Sequence, residues 1–304
     1  MTKEELIIQK VKEKGSLKFR VYAKFLRLLI APILRKKIIV DKFRQADYAY
    51  ITICQQKDFD MVYASIYSLY RNALIVPNEV VVVSDGSWEP EVAVAYFKKR
   101  GFDIKAISWR VCANYYRELC PKLREWAEKQ IWGKKMAAIL YLSENRKVLF
   151  SDPDILWYGN PLSSKDLEKL FYKVSVDNAT SYDQDCIKKL NLDVLNQRIP
   201  INCGAVYFYG GLKNLNDNAF ACVKYEAENC GPFAEQTVFA ALDLKYDSRW
   251  TMQEITSEID DLFYIFSFKK NIRYPNMIAR HYLYFLKWIY WKEYIRMLFF
   301  IGKK

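Results

Sequence analysis

The stretch KVLFSDPDILW, residues 147–157, decides how this chain is read. Val148, Leu149 and Phe150 form a short apolar run of the kind that makes a buried strand, and Asp152-Pro153-Asp154 falls at its carboxyl end. Two carboxylates spaced Asp-x-Asp can both place oxygens on one hard divalent cation while leaving positions open for phosphate oxygens and water. The spacing alone is common, and two aspartates in a surface turn are its ordinary reading. Its place between one apolar run and another, Ile155-Leu156-Trp157, favours the metal-binding reading.

Upstream of this motif the chain alternates between strand-like and helix-like segments. Tyr48 to Cys54 is β-branched and aromatic and reads as a first strand, followed by a helix from about Phe59 to Arg71. Glu79 to Ser84 reads as a second strand, closed by the turn-forming Asp85-Gly86-Ser87. A helix from Pro90 to Arg100, a third strand around Asp103 to Trp109 and a long helix from Arg124 to Leu142 lead to the fourth strand, Lys147 to Ser151. The alternation predicts an α/β fold around a mostly parallel, Rossmann-like sheet, in which ligands bind beyond the carboxyl ends of the strands. Asp152 and Asp154 lie at such an end.

Downstream the pattern is less regular, with strand-like Lys173 to Asp177 and Ala205 to Tyr209 and a helix from about Glu235 to Leu242. No linker, repeat or low-complexity run divides the chain. One catalytic domain over residues 47–268 is expected, with an N-terminal flank of residues 1–46 and a C-terminal flank of residues 269–304.

Charge distinguishes those flanks. The net charge of +12 over 304 residues conceals 13 Lys/Arg against 4 Asp/Glu in residues 1–46, and 9 against 1 in residues 269–304. The intervening residues carry 25 basic and 30 acidic side chains. A nucleic-acid enzyme spreads positive charge along its groove, so no nucleic-acid partner is expected. Basic ends around an acidic centre suit either attachment to an anionic membrane surface or plain solubilising charge. From Leu17 to Leu34 a helical reading puts Arg20, Lys24 and Arg27 on one stripe and Tyr22, Phe25, Leu26, Leu29 and Ile33 roughly opposite. Such a basic amphipathic helix either packs on the domain core or lies in a bilayer interface. The same two readings apply to residues 282–301, where nine aromatic residues are interspersed with Lys287, Lys292 and Arg296. The start of that segment is expected to enter the site and its end to face lipid.

The hydrophobic fraction of 52% suffices for a large core. The first thirty residues are too charged for a signal peptide, and no stretch of 18 residues is free of charge, so neither secretion nor a membrane span is expected. The seven cysteines are scattered without zinc spacing and read as reduced thiols. Together these imply a cytoplasmic protein, peripheral on the cytoplasmic face of a membrane. His281 is the single histidine, with Lys287 six residues on. A lone histidine is more often structural than a ligand. Neutral imidazole nevertheless suits Mn²⁺ beside two carboxylates, and the lysine could meet phosphate oxygens on the same cation as a point charge.

The order of Thr52-Ile53-Cys54, Lys135, VLFSDPD (148–154), NCGAVYF (202–208), AEQTVF (234–239) and HYLYFLKW (281–288) resembles glycosyltransferase family 8, which includes glycogenin and bacterial lipopolysaccharide glucosyl- and galactosyltransferases. The resemblance spans roughly residues 48–290. It implies the GT-A fold and a metal site of Asp152, Asp154 and His281 holding Mn²⁺ or Mg²⁺. It further implies a diphosphate-binding Lys287, and Thr52, Ile53 and Cys54 around the uracil of a UDP-sugar. Asn202 and Gly204 correspond to the family's Asn-x-Gly donor-sugar contact. Glu235-Gln236 is similar to its Asp-Gln pair, with Glu in place of Asp, and would orient the sugar. The lysine before the metal motif corresponds to Lys135, with adjacent Lys134 an almost equal fit. Asp85 also resembles the nucleoside-holding segments of glycosyltransferase family 2, and Asp177 is a candidate acceptor or sugar contact. Tyr284 stands where the family's C-terminal pattern has glycine, and Trp288 follows Lys287 with no proline between them.

As an activity, the resemblance implies a Mn-dependent hexosyltransferase that moves a sugar, with retention, to a hydroxyl of a glycan or lipid-linked acceptor such as a lipopolysaccharide core. The rival readings are a non-catalytic membrane-associated scaffold of the same fold and a haloacid-dehalogenase-type phosphatase. The latter places Asp-x-Asp on its first strand with Thr or Val two residues on, where this chain has three earlier strands and Leu156.

Overall fold

The computed structural model describes residues 16–34, 36–257, 276–283 and 287–300. Residues 269–275 of the expected C-terminal flank, and Tyr284 of its motif, lie outside the described residues.

The N-terminal helix α1 (Ser16–Phe25) continues through a π-helical stretch, Leu26–Ile30, to Ala31–Leu34. Then follow β1 (Gln45–Cys54), α2 (Phe59–Asn72), β2 (Val76–Ser84), α3 (Pro90–Lys98) and β3 (Lys105–Ser108). Two helices where one was expected, α4 (Pro121–Lys129) and α5 (Ile131–Ser143), lead to β4 (Val148–Ser151) and β5 (Ile155–Trp157). The second half supplies β6 (Tyr172–Val176), β7 (Ile201–Phe208), α6 (Asp217–Asn229), α7 (Ala234–Tyr246), β8 (Arg249–Trp250) and β9 (Ile255–Thr256). The chain closes with β10 (Ala279–His281) and α8 (Lys287–Phe300).

Seven strands form one sheet in the order β3-β2-β1-β4-β7-β6-β8. The pairs β3/β2, β2/β1 and β1/β4 are parallel, as the alternation upstream of Asp152 requires. β7 runs antiparallel to both β4 and β6, so the sheet is mixed in its second half. That reversal brings the start of β7 beside the end of β4, with Ser151 opposite Ala205. A second sheet, β5-β10-β9, sets His281 opposite Ile155 in antiparallel register.

Two apolar layers cover the large sheet. One holds Tyr50, Leu69, Val82 and Leu149 and takes in described parts of both flanks, with Leu26 and Ile38 from the first and Tyr290, Tyr294 and Leu298 from the second. The other holds Ile51, Val83, Phe150 and Val206 beneath α4, α5 and α7. The middle of α8 is therefore packed into the core, while Phe299 near its end is 57% exposed. Tyr290, Trp291 and Tyr294 are buried, meet each other edge-on, and Tyr290 donates to the Met61 carbonyl at 2.7 Å. Ring-to-ring packing gives these aromatics the same kind of surroundings that a bilayer would.

The helix expected over 124–142 breaks at Gln130, which is extended (φ −140°, ψ 151°) and donates through Nε2 to the Cys230 carbonyl at 2.7 Å. Just beyond the break, Gly133 lets α5 approach the end of α4. A Cβ there would stand 2.4 Å from the Trp126 carbonyl carbon and 2.5 Å from the Ala127 nitrogen, both backbone atoms that cannot swing aside. Gly133→Ala is expected to lower stability by about 1–3 kcal/mol, the usual cost of overpacking, seen as a lower urea midpoint. An unchanged midpoint would refute this account of the break.

Candidate active site

β4 delivers Asp152 and Asp154 to the end of the sheet, and the backbone on either side fixes them. The Asp152 N–H donates to the Gly204 carbonyl at 2.7 Å, and the Tyr282 N–H donates to the Asp154 carbonyl at 2.9 Å. The same antiparallel pairing that ties Tyr282 to Asp154 carries the His281 ring onto the carboxylates. His281 Nε2 lies 3.1 Å from Asp154 Oδ1 and 3.7 Å from Asp152 Oδ2. Among the described residues this trio forms the one group of three or more potential metal ligands, with donor atoms within 4.8 Å of one another.

The hydrogen bonds around Asn202 fix the histidine's tautomer. Asn202 Nδ2 donates to Asp177 Oδ2 at 3.0 Å, and Asn202 Oδ1 accepts from the Gly204 N–H at 2.9 Å. An amide oxygen cannot donate, so His281 Nδ1 carries a proton and donates to Asn202 Oδ1 at 3.1 Å. Nε2 is thus left facing two carboxylates, where it must hold either a second proton or a cation. Gly204 makes room for the ring, since a Cβ there would sit 2.4 Å from His281 Cε1.

Electrostatics agree with this arrangement. Burial by itself lowers the His281 pKa, but the Asp154 carboxylate and then Asp152 outweigh it and raise it above 6.5. Burial pushes the Asp152 carboxyl up, with Lys135 and His281 pulling against it. For Asp154 burial is overcome by His281 and Lys287, and its pKa falls. Lys135 is buried and donates to Asp152 Oδ1 and Oδ2 at 3.2 and 3.3 Å, with Glu235 Oε1 at 3.9 Å. Lys134 instead donates to the Asp85 carbonyl at 2.7 Å and lies over the Trp109 ring. The structure therefore separates two lysines that the sequence left nearly equivalent.

The trio opens onto a cleft of about 600 Å³. Ile53, Cys54, Asp85, Lys135, Asn202 and Gly204 line it, as do Glu235, Gln236 and Lys287. Thr52 does not. Its side chain shares a face of β1 with Cys54, which does line the cleft, but lies two residues further from the strand's carboxyl end, where it is buried with Oγ1 lacking a partner. Asp85 holds a tight turn, accepting from the Ser87 N–H at 3.0 Å and from its hydroxyl at 2.7 Å. Gln236 Nε2 donates to the Ile201 carbonyl at 2.7 Å, whereas Glu235 Oε2 is buried without a partner.

Several lining residues went unnoticed in the sequence. Lys57 and Asp58 follow the carboxyl end of β1, which is where a parallel sheet puts its ligands, and that rule could have found them. Burial raises the Asp58 pKa above the usual carboxylate value, against the pull of Lys287 and then Lys57. Trp132 and Phe233 also line the cleft, Phe233 in the left-handed region (φ 58°) at the start of α7. Only its position before Glu235 hinted at it.

A scan of protein families gave no match, and no curated protein matches the chain. Solved structures do. The chain is similar to mouse xyloside xylosyltransferase 1, with a TM-score of 0.51 and 14% identity over 78% of this chain and 97% of that one. It is similar to the galactosyltransferase LgtC in complex with donor and acceptor sugar analogues, with a TM-score of 0.50 and 12% identity over 84% and 98% of the two chains. The fold is the GT-A fold. The bifunctional glycosyltransferase WbbM matches with a TM-score of 0.50 and 13% identity, and here the chain, 84% covered, spans 50% of the longer protein. At such identities the likeness establishes the GT-A architecture alone.

The raised His281 pKa carries a pH signature. In metal-free protein the protonated ring stabilises the fold fully below its ordinary pKa, and this contribution is lost as pH rises through the elevated value. Thermal melts without metal should therefore show a decline above pH 6.5 that His281→Ala abolishes. Stabilisation by Mn²⁺ should grow over the same window, because proton and cation compete for Nε2. Identical profiles for wild type and His281→Ala would rule this out.

Proposed function

We propose that this chain is a metal-dependent glycosyltransferase of the GT-A fold, moving a sugar from a nucleoside-diphosphate sugar, a UDP-sugar by resemblance, to a hydroxyl of a glycan or glycolipid. The observation that carries the reading is the convergence of Asp152, Asp154, His281 and Lys287 on one cleft. Two carboxylates and an imidazole lone pair suit Mn²⁺ or Mg²⁺. When bound, such a cation supplies positive charge that offsets the diphosphate of the departing nucleotide.

The chain's own residues supply the rest. Lys287 acts as a point charge on the same diphosphate, a preorganised electrostatic aid at the leaving group. Lys135 neutralises Asp152 and Glu235 from below, so that the acidic cluster can persist with little exposure. Glu235 Oε2, buried and unpartnered, is an acceptor ready for a donor-sugar hydroxyl. Asn202 serves chiefly to orient His281 and Asp177. Ile53, Cys54 and Asp85 form the end of the cleft suited to the nucleoside. Residues 47–268 carry this machinery, and the C-terminal flank completes it through His281 and Lys287. Retention at the anomeric carbon is what the family resemblance implies.

A panel of nucleoside-diphosphate sugars, screened by thermal shift with Mn²⁺, should yield a donor that stabilises the wild type and not Asp154→Ala. Lys287→Ala should keep Mn²⁺ binding yet lose about ten- to hundredfold in affinity for the nucleoside diphosphate, as expected for one charge-assisted contact. Equal stabilisation of wild type and Asp154→Ala by every donor would defeat the proposal.

A further inference from the structure

α1 has a wider apolar arc than the domain covers. Its inward side is narrow: Leu26 and Ala31 are buried, and Ala23 and Ile30 pack against the core layer that contains α8. Leu17, Val21, Phe25, Leu28, Leu29 and Ile33 point elsewhere and stand 75%, 60%, 46%, 47%, 55% and 78% exposed. A helix that served only to cap the core would carry polar side chains at these positions. Leu28 and Leu29, both within the π-helical stretch, lie on this exposed side.

Charge borders the arc on one side. At 100° per residue, Arg20 and Lys24 fall between the buried stripe and the exposed apolar one, and both are exposed. Acidic side chains are absent from residues 16–34, while residues 1–46 hold 13 basic against 4 acidic groups. The following segment repeats the chemistry. Ile38 anchors it in the core and Lys36 Nζ donates to the Leu298 carbonyl at 3.0 Å, while Ile39 and Phe43 stand 80% and 102% exposed beside exposed Lys37 and Lys42. Phe43 is presented by an ordered turn, with its N–H bonded to Asp41 Oδ1 at 3.0 Å.

We infer that the outward arc of α1 is a docking surface for an anionic lipid bilayer, with Val21, Phe25 and Leu29 entering the acyl boundary and Arg20 and Lys24 meeting the headgroup phosphates. Apolar side chains edged by basic ones, with no acidic side chain in residues 16–34, match an anionic headgroup layer over its acyl boundary. No helix among the described residues is long and apolar enough to cross a membrane, so this contact is interfacial. α1 also packs against α8, whose first residue, Lys287, lines the cleft. An acceptor held in the membrane would thus meet the site from the α1 side. That last step rests on the glycosyltransferase reading; the docking surface does not.

Flotation of the full chain with phosphatidylcholine vesicles, with and without phosphatidylglycerol, tests the inference. The wild type should float with the anionic vesicles and be partly released by salt. The triple variant Val21→Glu/Phe25→Glu/Leu29→Glu should lose at least about tenfold in vesicle affinity. Because these positions are exposed, it should keep the wild-type melting temperature and Mn²⁺ response, which separates failure of docking from failure of the fold or of the catalytic site. Absence of flotation by the wild type, or flotation of the triple variant with equal affinity, would overturn it. So would light scattering that shows a wild-type dimer converted to monomer by the triple variant without any vesicle binding, since the arc would then be a contact between copies of this chain.

Discussion

The antiparallel register that sets His281 opposite Ile155 is the constraint on which the rest of the site depends. It closes a loop of more than a hundred residues and delivers one imidazole onto two carboxylates that β4, the central strand, has already placed beyond its carboxyl end. Bringing those two acids together costs free energy, because like charges in a partly dry pocket repel. Lys135 from below and His281 from above offset that cost, and the tautomer imposed by Asn202 leaves Nε2 aimed between the acids. Gly204 is needed because the ring lies directly over β7. Remove any of these and the remaining charges lose their partners.

The two basic flanks have different fates. The C-terminal one is drawn into the core, where Tyr290, Trp291 and Tyr294 pack against one another and hold Lys287 at the cleft. The N-terminal one packs through a narrow stripe and leaves a broad apolar arc in water. The first therefore helps to line the cleft, and the second presents an outward-facing surface.

Much of this was legible in the sequence, for identifiable reasons. The strand preceding Asp152 and the parallel half of the sheet follow from β-branched runs alternating with helical periods. His281 stood out because it is the only histidine. The direction of β7 could not be read, because strand polarity is set by pairing and not by local pattern. The break at Gln130 was hidden, since residues 124–142 keep a helical period on both sides of it. Thr52 falls outside the cleft although Cys54 on the same strand face lies within it, because local pattern does not show how far back from the carboxyl end of β1 the ligand space reaches. Lys134 and Lys135 could be told apart only once the helix was docked. The aromatic tail was ambiguous because Tyr and Trp suit a headgroup layer and a ring-lined core equally well.

Everything turns on whether Asp152, Asp154 and His281 hold a divalent cation. The most direct measurement is anomalous scattering from a crystal grown with Mn²⁺ and a nucleoside diphosphate. The account predicts one strong anomalous peak within coordination distance of all three side chains, with the diphosphate beside it and Lys287 on its far side. A peak elsewhere in the chain, or none at this trio while the nucleotide is bound, would contradict it.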